Sequence, residues 1–104
     1  MIRHIVALRF RKGTAAGTKE ALYAALNGLG GHIEGILDFQ SFANISVELP
    51  LVRGFEDLFW FDFRDVGVRD VYLADPVHQA IGGRIVAELE GGAEGVFVFD
   101  VALP

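Results

Sequence analysis

Hydrophobic and polar residues alternate along the first ten residues of the chain. Ile2, His4, Val6, Leu8 and Phe10 share one face of an extended segment, and the residues between them share the other. Alternation with a period of two is typical of a half-buried β-strand. The pattern therefore predicts a first strand from Ile2 to Phe10.

After a short loop the alternation gives way to a helical period. Four apolar residues recur at positions i, i+3, i+4 and i+7, which places them on one stripe of a helix: Leu22, Ala25, Leu26 and Leu29. Thr18 stands before this stripe and is predicted to be the N-cap. Gly30 and Gly31 are predicted to end the helix, because glycine favours the left-handed conformation common at that position.

Two further strands are predicted in the middle of the chain, from about Leu37 to Val47 and from Phe55 to Phe63. The segment between them is predicted to be a loop, because Pro50 cannot donate a ladder hydrogen bond. In the later strand, Leu58 and Trp60 fall on one face. The opposite face is expected to hold Phe55, Phe59, Phe61 and Phe63.

A helix with a break is predicted in the last third of the chain. Asp65 is a favoured N-cap, and the residues expected to face inward after it are Val68, Val71 and Tyr72. Asp75 and Pro76 interrupt the helix and restart it, since proline is favoured at the first helical position. The restarted helix is predicted to end at Gly91-Gly92, with a core stripe of Ile81, Ile85 and Leu89. A last strand from Val96 to Val101 follows.

These elements follow one another in the order β-α-β-β-α-β, which predicts an α+β protein with a ferredoxin-like fold. Both helical segments then cover one face of a four-stranded antiparallel sheet, and the other face is bare in a monomer. Because the strand from Phe55 to Phe63 is apolar on both faces, the bare face is expected to need a partner. We therefore predict a homodimer, with either Trp60 or the phenylalanines of this strand turned towards the second copy.

Length, composition and charge narrow the class of protein. With 104 residues the chain fits one domain, 1–104, and its formal net charge of −5 argues against a nucleic-acid partner. It contains no cysteine, and no apolar run approaches the roughly 20 residues of a membrane span. The charged start of the chain does not fit a signal peptide. We predict no membrane association and, by default, a cytoplasmic location.

No cofactor is predicted. Four carboxylates lie close together in the sequence: Glu56, Asp57, Asp62 and Asp65. Alternation along a strand sends neighbouring side chains to opposite faces, so these groups are not expected to converge on a metal ion. Gly82 and Gly83 lack the spacing of a phosphate-binding loop. Because glycine destabilises a helix interior, this pair is expected where the helix approaches the sheet or a ligand.

The candidate chemistry lies at the helix break. His78 is the third residue of the restarted helix, where the helix dipole favours a neutral imidazole that can act as a general base. Tyr72, about two turns earlier, is the candidate donor to a substrate oxygen. The structural alternative is that His78 caps its helix and Tyr72 packs in the core. His4 is either a core residue or part of the same cavity, and His32 is expected to be solvated in a loop.

Three segments resemble the stress-responsive A/B barrel domain family. Arg3–Phe10, followed by Lys12-Gly13-Thr14, is similar to its opening strand and turn. Tyr72–Gln79 is similar to its helix break, in which a tyrosine precedes a proline and a histidine. Val96–Asp100 is similar to its closing strand, which ends on the usual aspartate. The resemblance extends over nearly the whole chain.

The resemblance implies a ferredoxin-like dimer whose two sheets face each other and form an α/β barrel. It also implies a varied function, since plant members are linked to stress and a few are polyketide cyclases. Those cyclases resemble this chain at Tyr72 and His78, the pair used there for acid–base chemistry. They carry histidines where Asp57 and Asp75 stand here.

Three functional hypotheses follow. The first is a dimeric barrel protein whose apolar cavity binds a hydrophobic small molecule without catalysis. The second is a cofactor-free enzyme, cyclase-like or isomerase-like, in which His78 abstracts a proton next to a carbonyl and Tyr72 stabilises the oxyanion. The third keeps the fold and resembles other dimeric barrels, the monooxygenases of antibiotic biosynthesis and the muconolactone isomerases. A neutral His78 in an open cavity would favour the second.

Overall fold

The computed structural model describes the whole chain from Met1 to Pro104. Its strands are β1 (Ile2–Leu8), β2 (Ile36–Ala43), β3 (Asp57–Phe63) and β4 (Val96–Ala102). Its helices are α1 (Ala16–Asn27), α2 (Leu49–Val52), α3 (Val66–Ala74) and α4 (Pro76–Val86). Short 3-10 turns span Gly28–Gly31 and Gly92–Gly95. No helix is both long and apolar enough to cross a membrane.

The four strands form one antiparallel sheet in the order β2-β3-β1-β4. The first and third strands of the chain are therefore central, and β2 and β4 are the two edges. This strand order, with helices following β1 and β3, is the ferredoxin-like arrangement. The predicted α+β fold class is confirmed.

The core lies between one face of the sheet and the three long helices. Alternate residues of the central strands enter it, as the period of two requires: His4, Val6, Leu8, Phe59, Phe61 and Phe63. The helices bury pairs of residues spaced by four, which are Leu22 and Leu26, Val68 and Tyr72, and Ile81 and Ile85. Spacing by four keeps each pair on one face of its helix. The predicted apolar stripes are thus the core-facing stripes, with one exception on α3.

That exception is Val71, which was expected to face inward and is 58% exposed. Only Val68 and Tyr72, four residues apart, face the sheet from this nine-residue helix. A short helix that packs through one narrow stripe turns its i+3 position towards solvent. The Asp65 prediction is confirmed, since its carboxylate accepts a hydrogen bond from the Val68 backbone N–H at 3.0 Å.

The ends of the first and last helices differ from the prediction. Thr18 is not an N-cap, because α1 begins at Ala16 and Ala15 holds the capping position without a side-chain hydrogen bond. The first turn of α1, from Ala16 to Lys19, carries none of the apolar stripe, so the stripe locates the helix without fixing where it starts. α1 gives way to a 3-10 turn at Gly28. α4 ends at Val86, well before Gly91-Gly92.

The connection between β2 and β3 is more structured than predicted. β2 ends at Ala43 rather than near Val47, and the short helix α2 occupies the segment predicted to be a loop. Phe55 lies outside β3, and its ring centroid is 6.3 Å from that of Phe97. The Asn44 side chain fixes this segment by donating a hydrogen bond to the Phe55 carbonyl at 2.9 Å. The prediction that Phe55 shares a face with the other phenylalanines of β3 was therefore wrong.

The second face of the sheet, here named the outer face, carries no helix. Strand pairing arranges its side chains in three rows that cross β2, β3, β1 and β4 in that order. The apolar row is Phe42, Leu58, Ala7 and Phe97. The middle row is Gln40, Trp60, Ile5 and Phe99. The charged row is Asp38, Asp62, Arg3 and Val101. Trp60 thus lies on the outer face, and the phenylalanines within β3 face the helices.

Candidate functional site

A cavity of about 310 Å³ opens between the β1–β4 side of the sheet and the helices α3 and α4. Most of its lining is apolar and includes Leu26, Phe59, Ile85 and Val98. Its lining residues with polar groups are His4, Tyr72, His78 and Asp100. The structure thus brings the three residues singled out from the sequence to the wall of one cavity.

The break between α3 and α4 positions His78. Asp75 has an extended backbone that ends α3, and Pro76 begins α4. One carboxylate oxygen of Asp75 accepts a hydrogen bond from the His78 backbone N–H at 2.9 Å. The other lies 2.8 Å from Nε2 of His32. Asp75 therefore fixes the start of the helix that carries His78, and it ties this start to the loop after α1.

Tyr72 and His78 meet across the break as a stacked pair. Their ring centroids are 3.8 Å apart and their planes are inclined by 30°. Tyr72 is fully buried and packs against Phe61 and Phe63, with centroid distances of 4.9 Å and 5.0 Å. This packing on the aromatic core of β3 fixes the phenol ring, and the phenol ring in turn supports the imidazole.

His4 completes the polar side of the cavity. Its ring meets that of Tyr72 edge-on at a centroid distance of 5.5 Å. Its Nδ1 lies 2.7 Å from a carboxylate oxygen of Asp100, its neighbour on β4. The other oxygen of Asp100 accepts a hydrogen bond from Arg69 of α3 at 3.3 Å. A series of polar contacts therefore connects the buried His4, through Asp100, to Arg69 at the surface, and it links β4 to α3.

Burial holds His78 in its neutral form. Removal from water lowers the pKa of His78 below its ordinary value of 6.5, and the neighbouring His4 lowers it further. The Tyr72 carbonyl and the Asp75 carboxylate favour the charged form, but less strongly. Nδ1 of His78 is buried without a hydrogen-bond partner. The sequence predicted a neutral imidazole from the helix dipole, and burial favours the same neutral form.

The phenol group of Tyr72 is also held neutral. Burial raises its pKa above the ordinary value of 10.0, and no hydrogen bond contributes to the change. A neutral phenol donates a hydrogen bond but does not supply a base. At neutral pH the cavity therefore contains one unprotonated imidazole as acceptor and one phenol as donor, next to each other.

The carboxylates considered for a metal site are dispersed. Asp62 binds Arg3 on the outer face at 2.8 Å, Asp57 binds Lys19 at 2.9 Å, and Asp65 caps α3. No group of three or more histidine or carboxylate side chains is placed to hold a metal ion. A smaller cleft of about 160 Å³ contains Arg11 and Lys12 together with Glu56, Asp57 and Glu90. Its charges are of both signs, so it does not form a defined anion site.

Comparison of the sequence with known protein families identifies the family of this chain. Residues 2–103 match the family described as the stress responsive A/B barrel domain. The chain belongs to this family. None of the curated proteins is significantly similar to it.

Several solved structures superpose closely on the chain. A dimeric ferredoxin-like protein of unknown function from Jannaschia sp. CCS1 is 28% identical, with 98% of each chain covered and a TM-score of 0.86. A protein from Arabidopsis thaliana is 22% identical over 100% of this chain and 96% of its own, with a TM-score of 0.87. A hydroxynitrile lyase from Passiflora edulis is 13% identical over 99% and 93% of the two chains, with a TM-score of 0.81. The last two likenesses establish a shared fold.

Asp57 and Asp75, the two positions compared with cyclase histidines in the sequence analysis, have separate roles in the structure. Asp57 faces Lys19 of α1 and does not line the apolar cavity, whereas Asp75 caps α4. Sequence reasoning noted Asp100 only as the usual aspartate of the closing strand. Its contact with His4 depends on the β1–β4 register, which no local pattern specifies. Arg69 was not predicted as part of the site either, because its hydrogen bond to Asp100 also depends on where β4 lies.

Proposed function

We propose that this A/B barrel protein acts as a homodimer, each subunit of which binds one small, largely apolar molecule with a carbonyl or similar oxygen. The observation that carries the proposal is the apolar cavity whose wall holds the stacked rings of His78 and Tyr72. An apolar cavity with a few polar groups in its wall is the usual form of a small-molecule site. The cavity volume of about 310 Å³ suits a small ligand.

The outer face supports the homodimer. Its apolar and middle rows include Phe42, Phe97 and Phe99, all of which are largely exposed. Neighbouring exposed aromatic rings on one face often mark a surface that a partner covers. The Jannaschia relative, at 28% identity, is described as dimeric and ferredoxin-like. A second copy stacked on the outer face would cover these rings and form a closed barrel.

Ligand binding can be tested by filling the cavity from α4. Gly82 lines the cavity and Gly83 does not, and a Cβ added at either position would meet no atom within 4 Å. Both residues lie inside the same helix, so replacing either one gives a similar gain in helix propensity. Gly82→Leu places a side chain against the cavity, and Gly83→Leu is the matched control.

The probes are small ketones such as acetophenone, followed by NMR through the ring resonances of His78. We expect saturable changes in the positions of these resonances in the wild type and in Gly83→Leu. Binding should be at least about tenfold weaker in Gly82→Leu, because the leucine side chain occupies space that the ligand needs. Equal binding by both variants, or binding that leaves the His78 resonances unmoved, would contradict the proposal.

A second candidate function is cofactor-free proton abstraction next to a carbonyl. It is favoured by the neutral imidazole of His78 beside the neutral phenol of Tyr72. The base would take a proton from the carbon next to the carbonyl, and the phenol would donate a hydrogen bond to the enolate oxygen. The neighbour named as a hydroxynitrile lyase indicates that this fold can carry an enzyme.

The two functions can be separated by exchange in heavy water. An enzyme of the second kind replaces hydrogens next to the carbonyl of acetophenone by deuterium, since the abstracted proton mixes with solvent before it returns. We would then expect the wild type to accelerate this exchange and His78→Ala to abolish the acceleration. Binding without accelerated exchange leaves the first function and removes the second.

A further inference from the structure

We propose that the segment Ile45–Leu51, named here the arm, packs on the free β4 edge of a second copy and covers the open side of that copy's cavity. The site of each subunit would then be completed by its partner. The inference rests on the proposed homodimer and adds which edge meets which, and what closes the cavity.

The arm presents apolar side chains to solvent on an ordered backbone. Ile45, Val47, Leu49 and Leu51 are 89%, 90%, 72% and 64% exposed. The Ser46 N–H donates to the side-chain oxygen of Asn44 at 2.9 Å, and the Leu51 N–H donates to the Glu48 carbonyl at 2.8 Å. The arm is therefore held in a defined shape with its apolar side chains outward, as expected of a surface that another chain covers.

The complementary surface is β4. It is an edge strand, and its sequence from Val96 to Ala102 contains no lysine, proline or bulge. Its one charged residue, Asp100, is paired with His4 and Arg69 of the same chain and lies beyond the end at which Val96 and Val98 line the cavity. Phe97 and Phe99 are exposed on the outer face, and Val98 is half-exposed on the cavity side. The unprotected edge is therefore also one wall of the cavity opening.

Two kinds of two-fold axis can stack the outer faces of two copies. An axis parallel to the strands lays each row on the same row and brings β2 of one copy opposite β4 of the other. An axis across the strands brings like edges together and lays the charged row on the apolar row. Only the first kind brings the arm, which follows β2, to the partner's β4.

The charged row favours the axis parallel to the strands. That axis places Arg3 of β1 opposite the partner's Asp62 of β3, and Asp62 opposite the partner's Arg3. The axis across the strands would place Arg3 opposite the partner's Ala7 and Asp62 opposite the partner's Leu58. Charges buried against apolar groups are unfavourable, whereas two facing Arg–Asp pairs satisfy each other. The same choice lays Phe42 on the partner's Phe97.

This arrangement directs the arm to the cavity. Phe42 lies at the end of β2 that faces the start of the partner's β4, and the chain continues from there into the arm. Val96 and Val98, near the start of β4, line the cavity. An apolar arm against this end of β4 would keep water from the cavity and narrow its opening to small apolar ligands.

Disulfide scanning tests the arrangement, and the natural chain contributes no cysteine background. Val47→Cys is combined in turn with Val96→Cys, Phe97→Cys or Val98→Cys, and each protein is oxidised and sized without reductant. The connection that contains the arm returns to β4 of its own chain at Phe55, whose ring centroid lies 6.3 Å from that of Phe97. A disulfide requires Cα atoms within about 7 Å, and the mass of the oxidised protein separates a bond between copies, which gives a covalent dimer, from a bond within one chain, which leaves a monomer.

We expect at least one combination to give a covalent dimer, and Val47→Cys alone to give none. A covalent dimer of Val47→Cys alone would place arm against arm and overturn the proposal. A non-covalent dimer by light scattering in which no combination cross-links would also overturn it, while leaving the proposed homodimer intact. A monomeric wild type would remove the homodimer itself.

The closing role of the arm has a separate test. The double variant Ile45→Ser with Val47→Ser should weaken acetophenone binding about tenfold without dissociating the dimer. Unchanged binding would overturn the closing role of the arm.

Discussion

The imidazole of His78 lies against the phenol ring of Tyr72, with the ring centroids 3.8 Å apart. The two residues belong to different helices, and the Asp75–Pro76 break between them sets their geometry. A continuous helix would place residues six apart on different faces. The break therefore brings a base and a hydrogen-bond donor together at the wall of the cavity.

The first prediction concerns this pair in the ketone exchange reaction. His78→Ala should lower the exchange rate about 10²–10⁴-fold, the usual contribution of a general base. Tyr72→Phe should cost less, because it removes the donor and keeps the ring that packs against Phe61 and Phe63. Val77→Ala, which alters an exposed neighbour outside the cavity, is the control and should leave the rate unchanged.

Thermal unfolding of the same variants tests the structural alternative. If the pair serves only packing, His78→Ala should lower the midpoint strongly and there is no exchange activity to lose. A variant that keeps its midpoint and loses exchange supports the chemical role. A large drop in the midpoint together with unchanged exchange would end it.

The second prediction is a pH dependence of stability. The pKa of His78 is lowered in the folded state, so between that value and its ordinary 6.5 the unfolded chain binds more protons. Stability from this group is then complete above pH 6.5 and falls as the pH drops towards the folded-state pKa, by about 1.4 kcal/mol for each pH unit that separates the two pKa values. The free energy of unfolding of His78→Asn should fall less over this range than that of the wild type.

The comparison of these two proteins isolates His78, because His4 and His32 are present in both. Chemical denaturation at several values between pH 5 and pH 8 gives the two curves. Parallel curves would mean that His78 is as easily protonated in the folded protein as in the unfolded chain, and the neutral-base proposal would lose its support.

The sequence predicted the fold through patterns that local physics enforces. The period of two in β1 predicted its buried face, and the Asp75–Pro76 pair predicted a helix break, and both are present. The strand β3 is apolar on both faces, so its sequence left open which face meets the helices. The predictions for the start of α1 and for the place of Phe55 were wrong. The residue before α1, Ala15, has no capping side chain to mark the start, and a hydrogen bond from the Asn44 side chain holds the chain before β3.

The site was predictable in part for a similar reason. Tyr72 and His78 are close in sequence, so the helix break alone places them near each other. The contact between His4 and Asp100 joins residues at opposite ends of the chain through the β1–β4 register. Alternation shows which residues share a face of a strand, but it does not show which residue of another strand lies opposite. Arg69 could be recognised only once that register was known.

The third prediction concerns Asp75. Its pKa is lowered chiefly by the His78 backbone N–H, from which its carboxylate accepts a hydrogen bond, and also by His32. Asp75→Ala should destabilise the protein by about 1 kcal/mol through loss of the helix cap, and it should also slow ketone exchange because the start of α4 is no longer fixed. Asp75→Asn, which can still cap, should keep most of both properties. Equal losses in the two variants would contradict the capping role.

The last prediction concerns Trp60 at the centre of the outer face. Arg3 lies over its indole ring at 4.9 Å, and its Nε1 is buried without a hydrogen-bond partner. Because the middle row faces the second copy in the proposed dimer, Trp60→Asp puts an unpaired charge into an apolar interface, which is strongly unfavourable. Light scattering should then give the chain mass of 11.3 kDa instead of about twice that value, with a far-ultraviolet spectrum like that of the wild type. Trp60→Phe and the helix-surface change Val71→Asp should both remain dimeric. Unfolding of Trp60→Asp would mean that this face belongs to the core of the monomer, and a dimeric Trp60→Asp would place the interface elsewhere.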